Sequence, residues 1–183
     1  MRSSTLRIYS FAKINLALAV LGPRGDGFHE IRTVYQSIDL HDELELRESD
    51  VLEVHCQDLS GVAVADNLVW KSAKELCKAA PVNRGASITV KKNVPAGAGL
   101  GGGSSNAAAT LLGLCRLWNL TILQPDLLSI AARLGSDVPF FLMGGTALGV
   151  GRGEQVYPLP QLPSVDLVVI FPAVHISTAE AYR

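Results

Sequence analysis

The stretch PAGAGLGGGSSNAAATLLGL, Pro95 to Leu114, constrains this chain more than any other. Gly97, Gly99, Gly101, Gly102 and Gly103 fall within seven residues, where an ordinary turn uses one or two glycines. Behind them Leu111, Leu114, Cys115 and Trp118 recur at helical spacing, with Ser104-Ser105-Asn106 as candidate N-caps. A glycine loop that runs straight into a helix lets backbone N–H groups approach an anion closely, and the helix dipole favours negative charge there. The hydroxyls of Ser104 and Ser105 can add to phosphates or to their Mg²⁺. Two other phosphate loops fit less well. A P-loop requires a lysine before its Ser/Thr, and Gly102-Gly103-Ser104 has none. Gly97-Ala-Gly99-Leu-Gly-Gly102 satisfies G-x-G-x-x-G literally. Pro95 separates it from the preceding strand, however, and the region 20 residues on opens another helix.

Around the loop, strands and helices alternate without a regular β-α-β rhythm, which predicts an α+β fold. Leu6 to Leu21 reads as a strand, Gly22 to Gly27 as a turn, Ile31 to Leu40 as a second strand and Glu43 to Arg47 as a half-exposed one. Asp66-Asn67 can cap a helix that carries Val69, Ala73, Leu76, Cys77 and Ala80 on one stripe. Ser87 to Val94 is strand-like. Pro125-Asp126 opens a helix with Leu127, Ile130, Ala131 and Leu134 on its apolar face. Gly144 to Gly153 predicts a strand punctuated by turns, and Val165 to Phe171 a buried strand. Pro158, Pro160 and Pro163 mark a boundary.

Of the 183 residues 48% are hydrophobic and 18% charged, with a net charge of -1, as expected of a globular chain without a nucleic-acid surface. Cys56, Cys77 and Cys115 have neither disulfide-framework nor zinc spacing, and His41, His55 and His175 have no metal-ligand spacing. The expected setting is cytoplasmic. The run Leu167 to Val174 is too short to cross a bilayer, so no membrane partner is expected. Monomer and dimer are both compatible with the sequence.

Three segments in this order, FAKINLALAVLGPRGDGFHEI, PAGAGLGGGSSNAA and GSDVPFFLMGGTALGVGRGE, resemble the GHMP kinases. Within them, they resemble the bacterial branch that phosphorylates the 2-hydroxyl of 4-diphosphocytidyl-2-C-methyl-D-erythritol (CDP-methylerythritol) in the non-mevalonate route to isoprenoids. The resemblance implies a ribosomal-protein-like two-layer α/β sandwich over residues 1–160. It implies the start of a ferredoxin-like substrate domain, cut short, over 161–183. ATP and Mg²⁺ are the implied cofactors and CDP-methylerythritol the implied partner.

Carried over position by position, the resemblance makes Asp137 the catalytic aspartate and Lys13 the catalytic lysine. From the residues alone, Asp137 reads as an N-cap before Pro139, and Lys13 as an expensive intruder in an apolar strand unless it is partnered. Asn15 leaves the same strand face as Lys13 and resembles a substrate-contacting asparagine; it reads equally as a half-exposed strand polar. Phe28 and His29 match an aromatic–His pair that holds the cytosine, with Phe28 where the family more often has tyrosine. Thr178 and Tyr182 match further substrate positions. The triphosphate cradle is Pro95, Gly97, Gly99, Leu100, Gly101, Gly102, Gly103, Ser104 and Ser105, with Ser105 the implied metal contact. Asn67 and Lys92 match positions near the adenine. A nucleotide-binding module without catalysis is the rival reading from another class.

Overall fold

A computed structural model describes residues 5–56, 66–80, 82 and 84–172. Thr178 and Tyr182 lie outside the described residues. Two long strands, β1 (Leu6–Pro23) and β2 (His29–Ser49), form an antiparallel hairpin. The turn between them is tied by Asp26, which accepts the Phe28 N–H at 3.2 Å and pairs with Arg24. β2 is one 21-residue strand where the sequence suggests two, because register shifts absorb the irregular stretch between them. The same bulge flips the alternation. Ile31, Thr33 and Tyr35 point inward before it, and Asp42, Leu44 and Leu46 after it.

On its other side β2 is shared between two partners. Residues 43–49 pair with β4 (Gly85–Lys91), which carries β3 (Leu52–Cys56) in parallel. Residues 31–36 pair with β5 (Thr146–Gly151), which carries β6 (Gln155–Pro158). The glycine loop meets the sheet at β1: the Lys13 N–H donates to the Leu100 carbonyl at 2.9 Å.

Helices α1 (Leu68–Ala79), α2 (Gly102–Leu117) and α3 (Gln124–Leu134) form the second layer. Leu44, Leu46, Ile88 and Val90 from the sheet meet Leu76, Leu111, Leu114, Trp118 and Ile130 from the helices in one buried cluster. Each fully buried aliphatic side chain contributes roughly 1.5–3 kcal/mol of transfer free energy. This two-layer α+β arrangement matches the fold class expected from sequence. Asn67 caps α1 as expected, accepting the Val69 N–H at 2.9 Å.

Two expectations are corrected. Helix α2 begins at Gly102 with left-handed Gly101 as its N-cap, so Ser104, Ser105 and Asn106 lie inside the first turns rather than capping them. The segment expected as a buried strand, Val165 to Phe171, is not a strand, and Val165, Val168 and Ile170 are 79–85% exposed. An apolar run becomes a buried strand only where a neighbour pairs with it and a layer covers it, and the described residues supply neither. No helix among the described residues is long and apolar enough to cross a membrane.

Candidate active site

Gly97, Gly99 and Gly101 all adopt φ near +70°, so the loop alternates through the left-handed region on its way into α2. That is the backbone pattern in which consecutive N–H groups converge on an anion. Gly101 is additionally confined by packing. A Cβ there would lie 2.6 Å from Phe141 Cζ and 3.1 Å from Lys13 Cγ. The loop bounds an open cleft of about 460 Å³, whose wall also includes Lys13, Asn67, Lys92, Ser104 and Asp137. Pro95, Leu100, Gly102 and Gly103 line it as well. The positive charges that the loop lacks are therefore brought to the cleft from β1 and from the end of β4.

Lys13 is 5% exposed, and its burial is compensated by named partners. Its ammonium donates to Asn15 Oδ1 at 2.7 Å and lies 3.6 Å from Asp137 Oδ2. Asn15 in turn donates to Thr33 Oγ at 2.6 Å, and Thr33 donates to the Ala17 carbonyl at 2.8 Å. Asp137 occupies the N-cap position of α4 (Val138–Met143), but its side chain makes no capping bond. Its carboxylate is turned toward Lys13 instead, and Tyr35 donates to its Oδ1 at 3.1 Å.

A second polar cluster joins the loop to the sheet. Asp42 is fully buried and accepts the N–H groups of Asn93 at 2.7 Å and Val94 at 2.8 Å. It also accepts the Asn106 amide at 3.0 Å and pairs with the Lys92 ammonium. Asn106 Oδ1 lies 2.7 Å from the Ser10 hydroxyl. One carboxylate thus fixes the chain entering the loop, a cleft lysine and the second turn of α2. Asp42, Ser10, Thr33 and Tyr35 escaped the sequence reading. A signal was present: Asp42 has the same strand parity as core residues Leu44 and Leu46, opposite to Glu43 and Glu45.

Ser105 requires a correction. It is 4% exposed and donates to the Phe11 carbonyl at 2.6 Å, facing β1 rather than the cleft. Ser104 is the serine on the cleft wall. Adjacent helical residues point about 100° apart, so only one of the pair can face the loop. Phe28 and His29 do not line this cleft. They lie at the turn end of the β1–β2 hairpin, four strand residues or roughly 13 Å from Thr33. Phe28 is half-exposed, with the Arg152 guanidinium 4.6 Å from its ring centroid.

Residues 67–145 match the family described as GHMP kinases N terminal domain. Residues 67–145 carry the signature of the GHMP kinase N-terminal domain. The match begins at Asn67 and so takes in the cleft's glycine loop and Asp137, while Lys13 comes from strand β1 ahead of it. The chain is 46% identical over 174 residues to the 4-diphosphocytidyl-2-C-methyl-D-erythritol kinase of Solibacter usitatus, covering 95% of this chain and 55% of that protein. It is 44% identical to the enzyme of the same name from Methylococcus capsulatus, covering 100% of this chain and 63% of that one. The chain therefore spans somewhat over half the length of these curated relatives. A crystal structure of 4-(cytidine 5'-diphospho)-2C-methyl-D-erythritol kinase superposes with a TM-score of 0.83 at 39% identity, covering 97% of this chain and 63% of that one. The mevalonate kinase of Methanococcus jannaschii shares the fold at 14% identity with a TM-score of 0.64, covering 87% of this chain and 57% of that one.

Proposed function

We propose that this chain forms the ATP-binding and catalytic part of a kinase. The enzyme transfers the γ-phosphoryl group of ATP to the 2-hydroxyl of CDP-methylerythritol, giving the 2-phosphate and ADP for isoprenoid precursor synthesis in the bacterial cytoplasm. The observation that carries the proposal is the Lys13–Asp137 pair set in the same cleft as the glycine loop. The names of the relatives at 44–46% identity support the choice of acceptor.

In this reading the loop N–H groups and the start of α2 hold the phosphates, and Lys13 supplies positive charge. Asn67 and Lys92 stand at the adenine end. Asp137 accepts the acceptor's hydroxyl proton as oxygen attacks phosphorus, with the Lys13 ammonium 3.6 Å from its Oδ2. Asn15 holds the acceptor alcohol near Lys13. Phe28 and His29, a hairpin's length away, take the cytosine, a spacing suited to an elongated diphosphate-linked acceptor. Thr178 and Tyr182 complete that end. Residues 1–160 are the nucleotide domain and 161–183 begin the substrate domain.

Mg²⁺ fits this donor set. It is usually held by phosphate oxygens, water and one or two protein oxygens, and the Ser104 hydroxyl on the cleft wall offers one. When bound, the ion neutralises charge on the transferring phosphoryl group.

Cys56 also lines the cleft and offers a direct readout of nucleotide binding. Saturating Mg·ATP is expected to slow its alkylation at least fivefold, read by mass spectrometry of the labelled peptide. Cys77 and Cys115 serve as internal references, since burial pushes both thiols above the usual cysteine range and keeps them slow to react. Equal labelling of Cys56 with and without ATP would place the nucleotide elsewhere.

A further inference from the structure

Two glycines of the segment 144–153, Gly149 and Gly153, lie against one side chain, Tyr35. A Cβ at Gly149 would lie 2.5 Å from Tyr35 Cε2, and one at Gly153 would overlap the Tyr35 hydroxyl oxygen. Phe140 packs against the ring with centroids 4.8 Å apart. Tyr35 is left 1% exposed, and its hydroxyl emerges from this slot to donate to Asp137 Oδ1 at 3.1 Å. The Lys13 ammonium lies 5.6 Å from the ring centroid and 3.6 Å from the other carboxylate oxygen. Each oxygen of Asp137 therefore has its own partner, delivered by a different strand.

We propose that Tyr35 is a positioning residue for phosphoryl transfer: its hydroxyl fixes the Asp137 carboxylate so that Oδ2 stays beside Lys13 to receive the acceptor proton. This rests on Asp137 being the proton acceptor. A carboxylate tied at Oδ1 and set against an ammonium at Oδ2 is restrained from turning about Cβ–Cγ, and the tied oxygen is not the one that takes the proton. Glycine at 149 and 153 leaves room for that ring and its hydroxyl.

Tyr35→Phe keeps the ring, its packing on Phe140 and its place beside Lys13, and removes only the oxygen. In ADP-release kinetics on the full chain, kcat is expected to fall about tenfold, the range of one hydrogen bond to a charged group. KM for ATP and for CDP-methylerythritol is expected to stay within twofold. Gly153→Ala, which crowds the hydroxyl, is expected to lower kcat as well. Adding it to Tyr35→Phe is expected to lower kcat less than twofold further, since the clashing atom is gone, while a side chain on the left-handed backbone at 153 lowers the melting temperature in both backgrounds. Wild-type kcat in Tyr35→Phe, alongside an inactive Asp137→Asn, would overturn the proposal. So would a loss carried by KM and a lowered melting temperature, which would assign Tyr35 to packing alone. Turnover that survives Asp137→Asn would instead refute the proton-acceptor reading on which the inference rests.

Discussion

Asp137→Asn is expected to lower phosphoryl transfer about a thousandfold while leaving ATP affinity within about twofold. Losses of 10²–10⁴ are usual when a positioned proton acceptor is removed. The substitution is nearly isosteric. It also spares α4, because the Asp137 side chain makes no capping bond that the helix would miss. An asparagine can still accept from Tyr35 and stand beside Lys13, but it takes no proton at neutral pH. Single-turnover quench-flow measures the chemical step, and calorimetry measures nucleotide binding on the same preparation. Near-normal turnover in this variant would move the proton acceptor to another group. Lost ATP binding would make Asp137 part of the nucleotide site.

The largest stability effect is expected at Asp42. Asp42→Ala strands the Lys92 ammonium, whose side chain is only 13% exposed, together with two backbone N–H groups and the Asn106 amide. Breaking a buried ion pair from one side costs about 3–5 kcal/mol, and Lys92 reaches enough water to put this case near 3. For a domain of this size that is a fall in melting temperature of roughly 10 °C. Asp42→Asn keeps an acceptor for the Asn93 and Val94 N–H groups and is expected to lose less. Urea titration of both variants checks the order. A loss under about 1 kcal/mol in Asp42→Ala would mean that Lys92 and the loop entry find water without structural change.

The parts of this account that were legible in the sequence are those set by local chemistry. Asn67 announces its cap, the glycines at 97–103 announce a loop that no other residue could form, and Lys13 inside an apolar strand announces a partner. What was not legible depends on register. The bulge that fuses two expected strands into β2 also reverses which side chains face inward, and Tyr35 and Asp42 owe their places to that reversal. Ser104 and Ser105 could not be told apart without knowing where α2 begins, and a start at Gly102 sends one to the cleft and the other to β1. For Val165 to Phe171, apolar composition alone could not show whether a covering layer exists. Asp137 shows the limit most directly. Its backbone sits where a cap belongs, as its sequence context suggests, while its side chain serves the pair with Lys13.

The acceptor of this kinase is read out by ADP release in a coupled assay with CDP-methylerythritol, mevalonate, homoserine and galactose at equal concentrations. Mg·ATP turnover with CDP-methylerythritol is expected at least a hundredfold above the other three, and is expected to be lost in Asp137→Asn. Equal or greater turnover with another acceptor, or turnover indifferent to Asp137, would contradict the proposed function.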